Sequence, residues 1–532
     1  VMFRGGPEHT GVSDAPLFTG QGGVQWTART GGAVRSTPAV TAERVYVGSN
    51  DGTLYAIGRA DGRDTLWAFG RDGAAPRRVD LPFTEIGSFH VFQDRALCVQ
   101  QTIVRNIFMG REIGGRSKAV TLNTSVLKRH AAVLGGSGSG KTTLALSLIE
   151  QLLLRGIPAV LLDRKGDLCS YANPEVWRFN DNDMSDRRGE REKLADSIDV
   201  AVYTPGRASG RPISITLLPN GMNELPEHEQ QLLANLSAAA LGDMLHLKNS
   251  ATHQKQSGTL SVALRILGSR YSREVTLSDL INLLEDEDPE LSDLTQRMDP
   301  SGRIRRDLVA QLDSLRHRNS VLFEGGGESL RMDALMGLGQ FAREGRTRLS
   351  IIYTGFLGDN ENILFWVSQF LSEALRFCQR NPSDELQALL MLDEADLYIP
   401  ASAKPATAEP LQSLLKRARS AGLGIMLATQ SPGDLDYKSR DQVTSWFIGK
   451  VREDTALRKL KAAFSAMSGI DPAQVLPHQS VGEFHLIQEG VVCPMKAKRS
   501  LIQADQVPFD RIEQLAHETL GNDEQQLKLA FW

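Results

Sequence analysis

HAAVLGGSGSGKTT, residues 130–143, joins a short apolar strand to the pattern Gly135-x-x-x-x-Gly140-Lys141-Thr142. Glycines at Gly135, Gly136, Gly138 and Gly140 let the backbone curl and turn successive N–H groups toward an anion, where side chains with a Cβ would obstruct. Lys141 then reaches the β and γ phosphates of a nucleotide, and Thr142 ligates its Mg²⁺. The following TLALSLIEQLLL, residues 143–154, has helical spacing. The phosphates would therefore meet a helix N-terminus, whose free amides and dipole favour anions. Strand, loop and helix occur in the order that a phosphate-binding P-loop requires. The expected binding set is Gly135, Gly136, Ser137, Gly138, Ser139, Gly140, Lys141, Thr142 and Thr143.

Apolar runs continue downstream at AVLLD (159–163), VAVYT (200–204), LSIIYTG (349–355), ALLMLDE (388–394), GIMLATQ (424–430) and WFIGKV (446–451). Alternating with helical stretches, they give the βαβ rhythm of a parallel sheet and an α/β fold class. Residues 222–340 are mostly helical and charged, with LPEHEQQLLANLSAAALGDMLH as the clearest amphipathic stretch. They read as a helical insertion in a nucleotide-binding core at 129–221 and 341–510, with a C-terminal tail at 511–532. Residues 1–75 differ, being rich in Gly, Thr and aromatic residues with alternating runs such as VQWTA, RVYVGS and TLYAIG. They predict a small all-β N-terminal region with a tight turn at Asn50-Asp51-Gly52. Residues 76–128 read as a further small β-module.

Composition sets outer bounds. At 532 residues the chain exceeds one ordinary domain. With 60 Lys and Arg against 64 Asp and Glu, its net charge is -4, so any nucleic-acid contact must come from local patches. Cys98, Cys169, Cys378 and Cys493 lie far apart with no CxxC pair, which argues against zinc and a disulfide framework and points to reduced, cytoplasmic thiols. No run approaches the ~18 apolar residues of a membrane span, and a signal peptide is not evident. The reading is of a cytoplasmic protein without membrane contact.

The second half of a P-loop site should be an apolar strand ending in carboxylate, which ALLMLDE supplies. Asp393 is expected to hold Mg²⁺ through water and Glu394 to act as general base on the attacking water. Adjacent acids at the end of a buried strand are costly unless a cation or hydrogen bonds compensate. Asp393-Glu394-Ala395-Asp396 also spells a DEAD-box, but that helicase class needs an HRxGRxxR element, which is absent. Gln430, at the tip of the next apolar strand, can orient the water and report the γ phosphate. Lys416, Arg417 and Arg419 precede that strand as candidates for an arginine finger, or equally for an exposed cationic helix face. Asp436-Tyr437-Lys438 has the D-x-K form of metal-dependent nucleases, but its spacing is short. A guanine-reading Asn-Lys-x-Asp element is absent, which disfavours a GTPase switch.

Two resemblances extend this reading. VQWTARTGGAVRSTPAVTAERVYVGSNDGTLYAIGRADGRDTLWAF resembles one repeat of the PQQ-like β-propeller family, with Trp26 and Trp67 at equivalent ends. GGSGSGKTT, AVLLDRKGDL, GRTRLSIIYTGFLGDNENILFWVSQFLSEAL, LLMLDEADLYIP, RSAGLGIMLATQSPGDL and VGEFHLI, in that order, resemble the HerA branch of the HerA/FtsK superfamily over about residues 105–510. That resemblance implies a RecA-like core, ATP and Mg²⁺ as ligands, and a homo-oligomer, a hexamer with sites between subunits. It also implies DNA in a central pore and an arginine, mapping onto Arg419, that completes its own or a neighbouring site. Candidate pore contacts are Arg303, Arg305, Arg306, Lys459, Lys461, Lys496, Lys498 and Arg499. The expected function is an ATP-driven DNA translocase working with a partner nuclease or effector in DNA processing or antiphage defence. The alternative is an ATP-binding oligomeric scaffold that organises a partner effector.

Overall fold

The computed structural model describes residues 39–40, 44–48, 54–58, 64–65, 90–92, 95–97 and 106–530, without 115–116, 179–186, 248–249, 324–325, 439 and 469–470. The chain divides into two compact units, 1–105 and 106–532. In the first, Ala39–Val40, Arg44–Gly48, Leu54–Gly58 and Asp64–Thr65 form an antiparallel meander in chain order, and His90–Phe92 pairs with Arg95–Leu97. The strands expected at RVYVGS and TLYAIG are therefore present and pair with each other. Trp26, Trp67, VQWTA and Asn50-Asp51-Gly52 lie outside the described residues. A short antiparallel meander is common to many small β-units, so the propeller-type assignment rests on sequence resemblance alone.

The second unit is built on an eleven-stranded sheet. Its main elements begin with β1 Asn106–Glu112, β2 Ala119–Asn123, β3 Ala131–Leu134, α1 Lys141–Leu153, β4 Ala159–Asp163 and β5 Ile198–Tyr203. Then come α2 Glu227–Met244, α3 Ala251–Arg270, α4 Leu277–Glu285, α5 Arg303–Arg318, β6 Thr347–Tyr353, α6 Asn360–Arg380 and β7 Ala388–Leu392. The chain closes with α7 Ala408–Arg417, β8 Leu423–Thr429, β9 Ser445–Ile448, α8 Asp454–Ser468, β10 Glu483–Gln488, β11 Val491–Ala497 and α9 Phe509–Ala530. Strand order is β5-β6-β4-β7-β8-β3-β9-β10-β11-β1-β2. Pairing is parallel from β5 to β9 and antiparallel beyond.

The apolar runs become parallel strands because both faces are covered. β3, β4, β6, β7 and β8 are buried along their whole length, as a sheet sandwiched between helices demands. Ala132 and Leu134 of β3, with Val160 and Leu162 of β4, enter a core shared with α2 to α7. Ala131, Val133, Ala159 and Leu161 enter the opposite core, shared with α1 and α9. The helical region at 222–340 is thus continuous with the sheet's own core: Leu264 of α3 and Leu392 of β7 belong to one apolar cluster. The segment read as a C-terminal tail instead holds α9, whose Ile512, Leu515 and Ala516 are buried. Likewise β1 and β2 join the main sheet rather than a separate β-module.

Register aligns the strand ends. Leu134 pairs with Thr429 and Ile448, Leu392 with Leu162 and Leu427, and Asp163 with Tyr353. The residues that follow, Gly135, Gln430, Gly449, Asp393 and Arg164, therefore leave the sheet at one edge. That carboxyl edge is where open α/β sheets bind ligands.

Candidate active site

The P-loop spans the turn from β3 into α1. Gly140 is the N-cap of α1 at φ 94°, ψ 19°, with no side chain capping the helix. A Cβ there would lie 3.2 Å from both the N and Cα of Gly482, so a larger residue would be excluded by conformation and by space. Neighbouring segments clamp the loop: Gly136 N–H donates to Lys450 O at 2.8 Å, and Gly482 N–H donates to Ser139 O at 2.9 Å. The first-turn amides of α1 remain without intrahelical partners. The Ser139 hydroxyl is buried without a partner, a polar atom that asks for one. Lys141 folds back over the loop and donates from Nζ to Gly136 O at 2.8 Å. It is 7% exposed, and burial lowers its ammonium to about 8, with nearby Asp393 opposing and Lys165 adding to the shift. A phosphate would supply the missing counter-charge.

Facing the loop, Asp393 and Glu394 follow β7. Burial pushes the Asp393 carboxyl up to about 6, against the pull of Lys165. Glu394 adopts φ 53°, a left-handed backbone that is uncommon for a residue with a Cβ. Its carboxylate is bound by Lys165 Nζ at 3.0 Å and Arg164 NH1 at 3.3 Å. These cations sit on the loop after β4, which wraps around the fully buried Asp163. Four amides donate to that carboxylate: Lys165 and Gly166 at 3.0 and 2.8 Å, Leu168 and Cys169 at 3.1 and 3.2 Å.

Other sequence-nominated residues divide by position. Thr429 donates from Oγ1 to Asp396 Oδ1 and accepts from Ser431 N–H at 2.9 Å. It ties the sensor strand to the turn after Glu394 and sets Gln430 at the tip of β8, between β3 and β7. Arg419 is exposed on the turn Ala418–Ala421 that precedes β8. It lies at the amino edge of the sheet, roughly 20 Å of strand from the P-loop edge, so the fold does not bring it to its own subunit's site. Lys416 and Arg417 are on the same side. Several of the pore candidates have partners within the chain: Arg305 NH1 donates to Ser292 Oγ at 3.0 Å, Lys461 pairs with Asp471 at 2.8 Å and Lys498 with Glu190 at 3.1 Å. Lys496 donates to Val481 O at 2.7 Å beside the P-loop. Asp436 Oδ1 accepts from Lys438 N–H at 2.9 Å, so the D-x-K segment forms a turn.

Sequence reasoning missed Arg164, Lys165, Lys450 and Gly482. Arg164 and Lys165 lay in AVLLDRKGDL, Gly482 in VGEFHLI and Lys450 in WFIGKV, all carried as pattern without assigned roles.

Residues 107–335 match the family described as Helicase HerA, central domain. The matched stretch includes the P-loop and the helical region that follows it. Over 90 residues the chain is 37% identical to the DNA import protein CedB of Sulfolobus acidocaldarius, covering 16% of this chain and 14% of CedB. The chain thus spans about a seventh of the length of the curated relative it matches. Among solved structures, VirB4 of Thermoanaerobacter pseudethanolicus is 14% identical with a TM-score of 0.49, over 74% of this chain and 97% of VirB4. The plasmid coupling protein TrwB with an ATP analogue is 14% identical with a TM-score of 0.47, over 76% of this chain and 97% of TrwB.

The chain carries a P-loop whose donors fit ATP with Mg²⁺. Among the described residues no group of three or more His, Cys, Asp or Glu could hold a metal ion. Mg²⁺ characteristically needs only one or two protein ligands besides substrate phosphates and water, and Thr142 with Asp393 are the residues that would hold it. The partnerless Ser139 hydroxyl and the desolvated Lys141 complete a polar cradle for the phosphates. Among the described residues no helix is long and apolar enough to cross a membrane.

Proposed function

We propose that the chain is the motor subunit of a HerA-type DNA translocase, a ring, expected to be hexameric, that turns ATP hydrolysis into movement of DNA through its pore. The observation that carries this is the convergence of P-loop, acidic pair and sensor glutamine at one sheet edge within and around a HerA-type segment. Glu394 takes a proton from water as its oxygen attacks the γ phosphorus; the bond to the bridging oxygen breaks, and ADP and phosphate leave. Bound Mg²⁺ would neutralise charge on the phosphates. Lys141 and the first-turn amides of α1 hold those phosphates, while Gln430 orients the water.

Arg419, at the opposite edge, serves the site of a neighbouring subunit. This makes hydrolysis depend on assembly and lets each γ phosphate be read by two chains. Six subunits would multiply a few cations each into sufficient contact with a phosphodiester backbone. A cytoplasmic setting and a partner nuclease or effector, in DNA processing or antiphage defence, complete the reading. The test is ATPase activity with and without duplex DNA, together with displacement of a triplex-forming strand. DNA stimulation and ATP-dependent displacement are expected; a monomer with full ATPase activity and no displacement would refute the motor.

A second reading is favoured by the division into two units. The N-terminal β-unit would bind an effector, and the ATPase ring would serve as a slowly hydrolysing scaffold. Co-purification of a partner without DNA stimulation would select it.

A further inference from the structure

Both carboxylate oxygens of Glu394 are taken by one loop, Oε1 by Lys165 at 3.0 Å and Oε2 by Arg164 at 3.3 Å. This loop is not a loose surface turn. Asp163 draws four of its amides inward, and Arg164 NH2 also donates to Asn360 Oδ1 at 2.7 Å, at the start of α6. The segment leading into α9 clips its outer side: Val507 N–H donates to Gly166 O at 3.2 Å, and Gln506 Nε2 donates to Lys165 O at 3.4 Å. Ile512 of α9 packs so closely that a Cβ on Gly166 would fall 2.7 Å from its Cδ1. Glu394 itself stands on a left-handed backbone, φ 53°, where strain is tolerated because surrounding structure holds it.

A general base needs a carboxylate oxygen free to face the reacting water. Two cations from one rigid loop instead turn both oxygens toward themselves. From this geometry we infer that Arg164 and Lys165 are positioning residues that restrain Glu394, and that nucleotide phosphate competes for Lys165 and only partly frees the carboxylate. Lys165 is placed for this exchange, since Asp393, Asp167 and Lys141 all lie within electrostatic reach of it. The phosphate chain of ATP would offer it a stronger counter-charge than one carboxylate. Hydrolysis is then held low until substrate and loop rearrange together. The inference rests on the ATPase reading with Glu394 as base.

The experiment compares wild type, Arg164→Met/Lys165→Met, Lys165→Arg and Asn360→Ala for kcat without DNA, ATP affinity and melting temperature. The double variant should raise kcat about tenfold, a fraction of what a general base contributes, while binding ATP more weakly because Lys165 no longer reaches the phosphates. Lys165→Arg, which keeps the cation, should not reproduce that gain. Adding Glu394→Gln to the double variant should erase the gain. A kcat at or below wild type, or a gain that survives Glu394→Gln, overturns the inference. If the double variant does not fold, Asn360→Ala decides: it removes the prop on Arg164 and should raise kcat about twofold to threefold, and no rise is a refutation. Wild-type chain that binds no ATP or never hydrolyses it would instead refute the ATPase reading, before any variant is compared.

Discussion

The two edges of the large parallel sheet are built from the same strands and do different work. At the carboxyl edge, Gly135, Asp393, Gln430 and Arg164 leave neighbouring strands together, on the edge where Lys141 opens α1. At the amino edge, His130 holds three elements: its Nε2 donates to Leu415 O at 2.8 Å at the end of α7, and its Nδ1 accepts from Ile425 N–H at 3.1 Å on β8. Arg419 lies exposed on the turn just before that strand. One edge thus gathers the P-loop, the acidic pair and Gln430, and the other displays Arg419 on an exposed turn. The proposed function joins the two edges across neighbouring subunits, with Arg419 of one chain completing the site of the next.

The largest expected effect is on the carboxyl edge. Lys141→Ala should reduce ATP hydrolysis by about 10³-fold or more and weaken ATP binding, as loss of the principal phosphate cation requires. Retained turnover would move the site elsewhere. Next comes Glu394→Gln, expected to lower kcat about 10²- to 10⁴-fold while ATP still binds. Single-turnover quench with nucleotide-binding measurements separates the two; intact turnover would dismiss Glu394 as base.

Arg419→Ala sharpens the contrast. It should leave ATP affinity near wild type yet lower kcat of the assembled ring about 10³-fold, at the lower end for an arginine finger. An unchanged rate would leave the amino edge with no part in chemistry. The smallest effect is structural. Burial lowers the His130 imidazole to about 4, against the hydrogen bond to Leu415 O. The folded chain therefore keeps it neutral where the unfolded chain binds a proton. Its contribution is fully present above about pH 6.5 and is lost as pH falls toward 4, amounting to about 3 kcal/mol. Denaturation of wild type and His130→Gln across that window should show wild type losing stability faster; parallel curves would refute the neutral hub.

Much of the carboxyl edge was legible because its chemistry is local in sequence. A P-loop is one contiguous run, and Asp393 with Glu394 ends an apolar strand that burial makes unmistakable. Arg164 and Lys165 were not, since nothing in an Arg-Lys pair after a strand says which carboxylate it will meet across 230 residues. Gly482 is similar: its role is to lie beneath Gly140, a contact created only by strand order. The all-buried strands β3, β4, β6, β7 and β8 announced the α/β fold, whereas α9 was missed. Its buried stripe of Ile512, Leu515 and Ala516 is diluted by polar neighbours in a segment read as a tail. His130 gave no signal, because a histidine before a strand says nothing of the two backbone groups it will join.

The central claim is that the ATP site is shared between subunits, and mixing two inactive variants tests it most directly. Lys141→Ala and Arg419→Ala chains, each inert alone, are combined in equal amounts, reassembled and assayed for DNA-stimulated ATP hydrolysis. Random mixing gives about a quarter of interfaces an intact Lys141 from one chain and an intact Arg419 from its neighbour. Activity recovering toward about a quarter of wild type is the predicted result. A mixture that forms rings yet remains as inactive as either variant alone would contradict the account.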